Sequence, residues 1–373
     1  MPSLQSISVS VLVSLSLTVF NVSGQISTDT AVSVLIPDST VSKQPKSDTL
    51  TIIGVGDVMP GSNFPNASYL PDRSSSLFDP VKDILRNADL TFGNLEGCIL
   101  NEGGEIKQCK DTTKCFAFRM PEYFADEIKD AGFDMLSIAN NHVGDFGYTG
   151  RTNTRRVLQE HGFCFAGQDE RPWDTIRIRG LLFGLTAFSP NTGTLIISEY
   201  VRAAVIISHL DSICDIVVVS MHGGAEGSKY SHVPRTTETF YGENRGNVYA
   251  FARMAIDHGA DVVFGHGPHV TRAFDLYKNK FIAYSMGNFC TYGRFNLMGI
   301  NGIAPIVKIE TDSKGNFISG MITSTCQPGN GGPQIDPLNR VLNEIRQLTR
   351  TDFPETPYVF ENNGHFFIRK SNP

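Results

Sequence analysis

The segment FGHGPHV, residues 264–270, places two histidines three positions apart where two glycines and a proline disfavour a helix. Imidazole is a common ligand of divalent ions such as Mn, Zn and Fe. Pro268 restricts the turn between His266 and His269, and the glycines let the backbone bend sharply. The segment therefore predicts a rigid turn that directs both imidazoles to one point, or else two histidines that only hydrogen-bond the core and the backbone.

Other side chains with ligand chemistry follow the ends of four further predicted strands. Asp57 follows LTIIGV; Asn94 and Glu96 follow LTF; Asn141 and His142 follow MLSI; His222 follows IVVVS. Ligands of α/β sheets bind outside the carboxyl ends of the strands, so we expect these loops to converge. Each residue alone has a structural alternative, such as a helix cap, a turn or a hydrogen-bonded core position. Together with the histidine turn they predict a site for a metal ion or an anion.

Apolar strand-like runs alternate with helix-like segments along most of the chain, which predicts an α/β fold with mixed or parallel sheets beneath helices. Three hairpins, turning at Arg179 and Gly180, at Asn279 and around Gly315, add antiparallel strands. The segment DPLNRVLNEIRQLT predicts a terminal helix.

Residues 1–24 resemble a signal peptide, because the apolar, serine-rich run from about Ile7 to Phe20 is short for a membrane span; a retained interfacial anchor is the alternative. Residues 25–48 predict a flexible linker, 49–330 one folded domain, and 331–373 a helix and tail that pack on it. We expect an exported protein, periplasmic or at the cell surface, with no stable transmembrane span after signal removal.

The net charge of −6 among 373 residues gives no broad positive surface, so nucleic acid is not an expected partner. The count of seven cysteines is odd, which leaves at least one thiol unpaired in an oxidising compartment. Cys109 and Cys115 flank the short polar loop KDTTK. The sequence is consistent with a disulfide between them and with two free thiols.

The motifs GVGDVM, GNLEG, IANNHVGDFG, SMHGGAE, GADVVFGHGPHV and IAYSMGNF, in this order, resemble the CapA family of poly-γ-glutamate capsule synthesis proteins, which is related to calcineurin-like metallophosphoesterases. The similarity runs from about residue 50 to residue 324. It implies a metallophosphoesterase-like β-sandwich of mixed sheets flanked by helices, with a cleft at the strand ends.

The resemblance also implies roles for single residues. The residues similar to the family's metal ligands are Asp57, Asn94 at the place of a bridging Asp, Asn141, His222 and His266, with His269 as a further contributor. The chain departs from that pattern at Met59, where the first motif usually carries His, and at the neutral Asn94. Glu96, or Glu226 on a longer loop, would restore the missing charge. We therefore expect one divalent ion, or a weakly held pair, of Mn, Zn, Fe or Mg.

His142 resembles the histidine that protonates the leaving group, and Asp145 is placed to orient it. The residues expected to contact substrate are Glu226, Arg272, Asn288 and Arg294. Two functions stay open. One is a metal-dependent phosphoesterase or amide hydrolase that acts on an anionic envelope polymer or a phosphorylated precursor, within a polymer-synthesis complex. The other is a non-catalytic assembly component that binds a polyanion such as poly-γ-glutamate and has a degenerate metal site.

Overall fold

The computed structural model describes residues 49–108 and 115–369, so the predicted signal peptide and linker lie outside the described residues. The strands are β1 (Leu50–Met59), β2 (Leu90–Leu95), β3 (Cys98–Ile99), β4 (Arg119–Met120), β5 (Met135–Ser137), β6 (Cys164–Ala166), β7 (Trp173–Ile178), β8 (Leu181–Phe188), β9 (Ile216–His222), β10 (Thr239–Phe240), β11 (Glu243–Asn244), β12 (Val262–His266), β13 (Phe274–Tyr277), β14 (Lys280–Ala283), β15 (Asn288–Thr291), β16 (Ile303–Thr311), β17 (Phe317–Cys326), β18 (Gln334–Ile335), β19 (Tyr358–Phe360) and β20 (His365–Ile368).

The helices are α1 (Lys82–Leu85), α2 (Tyr123–Asp130), α3 (Gly147–Glu160), α4 (Tyr200–Ile213), α5 (Val248–Asp257) and α6 (Arg340–Asp352), with short 3-10 turns at Ala67–Tyr69, Ser228–Tyr230 and Gly299–Gly302.

Two mixed sheets contain most of the strands. The larger has the order β19-β20-β17-β16-β1-β2-β5-β6, with β15 beside β1 and β18 beside β17. The smaller has the order β13-β14-β12-β9-β8-β7. Strands β1, β2, β5 and β15 are parallel to one another, and so are β8, β9 and β12. Each sheet therefore presents a row of carboxyl strand ends at one edge.

The two sheets pack face to face over an apolar core. The ring of Phe92 on β2 stacks on that of Phe264 on β12, with centroids 5.2 Å apart. Gly54 on β1 makes this approach possible, since a Cβ there would lie 2.3 Å from the Phe264 ring. Strand β9 is buried along its whole length, which explains its unbroken IVVVS run. The two sheets thus form a sandwich.

Helices cover both outer faces of the sandwich. Apolar side chains of α2 and α3 pack on the larger sheet, and those of α4 and α5 pack on the smaller one. Helix α6 buries Val341, Leu342 and Ile345 against the core between the sheets. The predicted α/β fold, with mixed sheets flanked by helices, is confirmed by this layering.

The three predicted hairpins are confirmed as β7–β8, β13–β14 and β16–β17. The predicted terminal helix is α6, and β19 and β20 after it extend the larger sheet. Cys115 is disulfide-bonded, whereas Cys109 lies outside the described residues. Within residues 49–108 and 115–369 no helix has the length and apolar character needed to cross a membrane.

Candidate metal centre

The predicted ligands lie side by side where the parallel strands end. In the larger sheet, Asp57 pairs in register with Asn94 of β2 on one side and with Asn288 of β15 on the other. In the smaller sheet, His222 of β9 pairs with His266 of β12. All five are buried, with at most 1% of their surface exposed. The fold therefore brings these residues to one shared edge, as the strand ends in the sequence predicted.

Asp57 lies at the centre of this group. Its Oδ2 is 2.9 Å from Nδ1 of His269, and its Oδ1 accepts a hydrogen bond of 2.8 Å from the side-chain amide of Asn94. Nδ1 of His266 lies 3.4 Å from the same Oδ1. His269 also contacts Asn288, whose Oδ1 is 3.1 Å from Nδ1. One carboxylate thus joins side chains from both sheets.

Glu96 provides a second buried carboxylate beside the first. Its Oε2 accepts a hydrogen bond of 2.5 Å from the Asn94 amide and lies 3.6 Å from Nδ1 of His222. One ligand atom each from Asp57, Glu96 and His222 lies within 4.8 Å of the others. Oxygen and imidazole donors at this spacing suit a borderline divalent ion.

Several buried polar atoms at this point have no hydrogen-bond partner among the described residues. They are both ring nitrogens of His222, both ring nitrogens of His266, Oε1 of Glu96 and Oδ1 of Asn141. Buried polar atoms in folded proteins are nearly always hydrogen-bonded, and a histidine with two open nitrogens is costly to bury. A cation could bind one nitrogen of each ring together with the open carboxylate and amide oxygens, so the residues present fit a divalent metal ion.

Burial and neighbouring charges set the protonation of the site. Burial acts to raise the pKa of Asp57, but the hydrogen bond with His269 and the charges of His266 and His269 outweigh it and hold that pKa well below its usual range. Burial, together with the charge of Asp57, raises the pKa of Glu96 to about 8. Without metal, the site therefore holds an ionised Asp57 beside a protonated Glu96.

The pKa values of His222 and His269 are shifted in opposite directions. Burial, reinforced by the charge of Arg245, keeps the pKa of His222 well below its ordinary value, so its ring is neutral as a metal ligand requires. Burial acts to lower the pKa of His269, but the hydrogen bond to Asp57 and the charges of the nearby carboxyl groups together outweigh it and raise that pKa to about 10. A cation at Asp57 would compete with this charged imidazole.

The turn between His266 and His269 has the sharp backbone that the sequence predicted. Gly267 has φ of 109°, and a Cβ there would lie 2.8 Å from the backbone nitrogen of Gly223. His269 itself has φ of 56°, a conformation that non-glycine residues seldom adopt. The strained residue contacts Asp57, and such strain is often found at functional sites.

His142 and Asp145 form a buried pair at the rim. Nδ1 of His142 is 2.8 Å from Oδ2 of Asp145, which also accepts a hydrogen bond of 2.7 Å from the backbone of Phe118. The other oxygen, Oδ1, lies 2.6 Å from Nζ of Lys107. Burial lowers the pKa of His142 although Asp145 acts to raise it. Asp145 fixes the ring through Nδ1, and Nε2 has no hydrogen-bond partner among the described residues.

Sequence reasoning missed two residues here. The side-chain amide of Asn140 donates to Asn94 Oδ1 at 3.2 Å and to the carbonyl of Leu95 at 2.8 Å, while its Oδ1 accepts from the backbone of His142 at 3.1 Å. Its place in the NNH motif was the available signal. Lys107 lies in a loop without any motif, so nothing in the sequence indicated it.

The four residues predicted to contact substrate have different surroundings. Asn288 lies within the cluster around Asp57, and Glu226 is paired with the buried Arg245, Oε1 to Nη2, at 2.9 Å. The guanidinium of Arg294 lies over the rings of Tyr69 and Phe116, at 5.2 and 5.0 Å from their centroids. These three lie at the edge that carries the candidate metal site.

The structure does not support the predicted contact of Arg272 with substrate. Its side chain is fully buried, and its guanidinium donates to both oxygens of Glu238 at 2.8 Å and to the carbonyls of Tyr230 and Ala225. These donors are used within the protein, so the structure gives Arg272 a supporting role in place of the predicted substrate contact.

Comparison with known proteins agrees with the resemblance seen in the motifs. The family model described as Bacterial capsule synthesis protein PGA_cap matches residues 51–292. The capsule biosynthesis protein CapA of Bacillus anthracis is 30% identical over 331 residues, which cover 83% of this chain and 75% of that protein. The PGA biosynthesis protein CapA of Bacillus subtilis is 26% identical over 65% of this chain and 63% of that protein.

Solved structures with a similar outline include a putative 5'-nucleotidase from Staphylococcus aureus, with a TM-score of 0.43, 15% identity, and coverage of 81% of this chain and 58% of that one. The purple acid phosphatase PPD1 of yellow lupin has a TM-score of 0.38, 11% identity, and coverage of 80% and 55%. At these scores the fold class rests on the strand order and layers of the chain itself.

Proposed function

Because the chain belongs to the PGA_cap family of bacterial capsule synthesis proteins, we propose that it acts in the synthesis of poly-γ-glutamate or a related anionic envelope polymer, through a metal-dependent hydrolase site. The names of the relatives support the polymer, and the apolar run at residues 7–20 supports export to the envelope. The observation that carries the catalytic part is the pair of buried histidines, His222 and His266, whose four ring nitrogens are open beside Asp57 and Glu96.

Asp57, Glu96, His222 and His266 would hold the ion, and Asn141 would contribute its open amide oxygen. A divalent ion held there would stabilise the negative charge that develops on a phosphoester or amide during hydrolysis. Asn94 keeps the two carboxylates together through its amide, and Asn288 holds the His269 ring. The protein thus presets its ligands before an ion binds.

His142 is the proposed proton donor to the leaving group. Asp145 holds Nδ1 of the ring, so Nε2 is the atom that would transfer the proton. A pKa below the ordinary value makes the protonated ring ready to give up its proton. Lys107 balances the charge of Asp145 at 2.6 Å, which keeps the carboxylate available to orient the ring.

The number of ions follows from the same residues. Asn94 carries no charge at the place between Asp57 and Glu96, and Met59, at the position where the family's first motif carries His, is fully buried in the apolar core. Two cations close together repel strongly unless a carboxylate lies between them. We therefore propose one tightly held ion, with at most a weak second.

A non-catalytic protein that binds a polyanion is the second candidate, and the neutral Asn94 and buried Met59 favour it. Metal analysis of the purified protein, combined with manganese-supplemented phosphodiesterase and γ-glutamyl amide assays on the same sample, separates the two. Bound metal with turnover of either bond supports the hydrolase. Bound metal without turnover of either would leave the polyanion-binding protein.

A further inference from the structure

Two arginine side chains lie at opposite ends of the row of strand ends, with the candidate metal centre between them. They are Arg151 at the β5 end and Arg294 at the β15 end. We propose that these two guanidiniums bind carboxylates of one extended polyanionic polymer on both sides of the metal centre. The site would then bind an internal segment of the polymer and not a small terminal group. This inference rests on the proposed function.

Arg151 lies where loops of the two sheets approach each other. Its Nη1 would be 3.6 Å from a Cβ on Gly144, which follows β5, and 3.4 Å from a Cβ on Gly193, which follows β8. The absence of side chains at both glycines leaves room around the guanidinium. Arg151 is half-buried, and no hydrogen bond or ion pair joins its side chain to any residue in the part of the chain that the structure describes.

Arg294 follows β15 at the other end of the row. Its guanidinium is held against the faces of Tyr69 and Phe116, and Nη1 reaches the carbonyl of Ala117 only at 3.5 Å. No carboxylate among the described residues lies within ion-pair distance of it. The next residue, Phe295, has its ring 5.8 Å from that of His269, so the segment that carries Arg294 lies beside the site.

Other arginines close to the site are already engaged by carboxylates. Arg245 pairs with Glu226 at 2.9 Å, and Arg272 pairs with Glu238 at 2.8 Å. Such pairs support loops and leave little capacity for a ligand. A guanidinium held in place without a carboxylate partner is instead suited to bind an incoming carboxylate in a bidentate manner.

The number of strands between the segments that carry the two arginines indicates the size of the ligand. Strands β15, β1, β2 and β5 are neighbours in that order, and three strand spacings amount to about 14 Å. One phosphate or one carboxylate cannot reach both ends of this row. A chain with repeated carboxylates can, and its middle then lies over Asp57 and Asn94, which are on the two central strands.

Two aromatic rings form a wall between the ends. Phe118 stacks on Phe295 with centroids 4.9 Å apart, and its ring lies 4.3 Å from that of His142. The wall therefore runs from the proposed proton donor to the residue after Arg294. Phe118 is buried, so Phe295, which is half-buried, is the ring of this pair that a ligand can reach. An aromatic ring suits the planar amide groups of a polyamide backbone, whereas the arginines suit its carboxylates.

The test uses calorimetric titration of the full-length protein loaded with manganese. It compares the affinity for a long poly-γ-glutamate polymer with the affinity for the γ-glutamyl-glutamate dimer. The variants are Arg151→Met, Arg294→Met and the double variant. Arg177→Met is the matched control, because Arg177 is exposed on β7 at the opposite edge of the sandwich. Each single variant should weaken binding of the long chain about tenfold, the size expected for a lost charged hydrogen bond, and the double variant by roughly the product.

Dimer binding should fall in one single variant at most, because a dimer cannot reach both ends. Long-chain affinity that is equal in the double variant and in Arg177→Met would overturn the inference, and so would a wild-type protein that binds the chain no better than the dimer. Hydrolysis is measured separately. If the variants lose affinity for the long polymer and the wild type shows no turnover, the catalytic proposal is contradicted. The inference that Arg151 and Arg294 bind the polymer is still supported.

Discussion

The side-chain amide of Asn94 donates to both buried carboxylates of the site, to Asp57 Oδ1 at 2.8 Å and to Glu96 Oε2 at 2.5 Å. An amide in this position holds two acidic groups together without a metal ion. An aspartate there would repel the ionised Asp57 in the metal-free state and attract a second cation in the metal-bound state.

Asn94→Asp should therefore lower stability in chelator and raise the capacity for metal. We expect a loss of about 1–3 kcal/mol of unfolding free energy without metal, the usual cost of a buried group that loses its partner. Thermal unfolding in EDTA and in excess manganese, with metal content by mass spectrometry, measures both effects. A wild-type protein that already holds two ions tightly would contradict the explanation given for Asn94.

Metal binding should stabilise the wild-type protein, because an ion would bind one open nitrogen of each of His222 and His266. At a free metal concentration of a hundred times Kd, the gain is about 2.7 kcal/mol. His222→Ala should abolish most of the rise in Tm on adding manganese or zinc. The exposed His209 is the matched control, and His209→Ala should keep the full rise. The same rise in both variants would remove His222 from the metal site.

A site residue could be predicted from the sequence when its own strand determines its position. It could not be predicted when its position depends on a contact with a residue far away in the sequence. Asp57, His222 and His266 each follow a strand of buried aliphatics, and parallel strands bring such ends together, so their convergence could be predicted. The role of Arg272 could not, because its partner Glu238 lies 34 residues away on a different loop. Nothing local distinguishes an arginine that will meet a buried carboxylate from one that will face a ligand.

The same reason explains the residues that were missed. Arg151, which we propose binds the polymer, is an ordinary residue of α3, and its surroundings are set by Gly144 and Gly193, from loops of two different sheets. Lys107 matters because its loop crosses Asp145. Local sequence patterns indicate the alternation of strands and helices, whereas contacts between loops depend on the tertiary structure.

His142→Ala should keep its metal and lose most turnover, since the ring contacts Asp145 and is not needed to hold the ion. General acid catalysis contributes about 10²- to 10⁴-fold, so kcat should fall by that factor. Metal content and kcat are measured on the same preparation. Asp145→Asn should give a smaller loss, because the ring stays in place with a weaker orienting bond. Unchanged kcat in His142→Ala would exclude His142 from proton transfer.

The metal-free protein should lose stability as the pH rises, through Glu96. Burial and the charge of Asp57 raise the pKa of Glu96 from 4.5 to about 8 in the folded state. A group with a raised folded pKa contributes stability that is full below the unfolded pKa and is lost as the pH rises through the folded pKa. Unfolding free energy in EDTA should thus decline between pH 4.5 and about 8, and Glu96→Gln should decline less over that window. Equal pH profiles for the two proteins would contradict this origin of the decline.

Glu238→Gln tests the supporting role of Arg272, whose guanidinium would then be buried without its carboxylate. Breaking a buried ion pair by removing one partner typically costs about 3–5 kcal/mol, which urea unfolding would detect. The double replacement Arg272→Met with Glu238→Leu removes both charges and should recover much of that loss. If Arg272 instead binds substrate, the double variant would be stable but would lose affinity for the anionic chain. Restored stability with unchanged affinity is the outcome that the buried pair predicts.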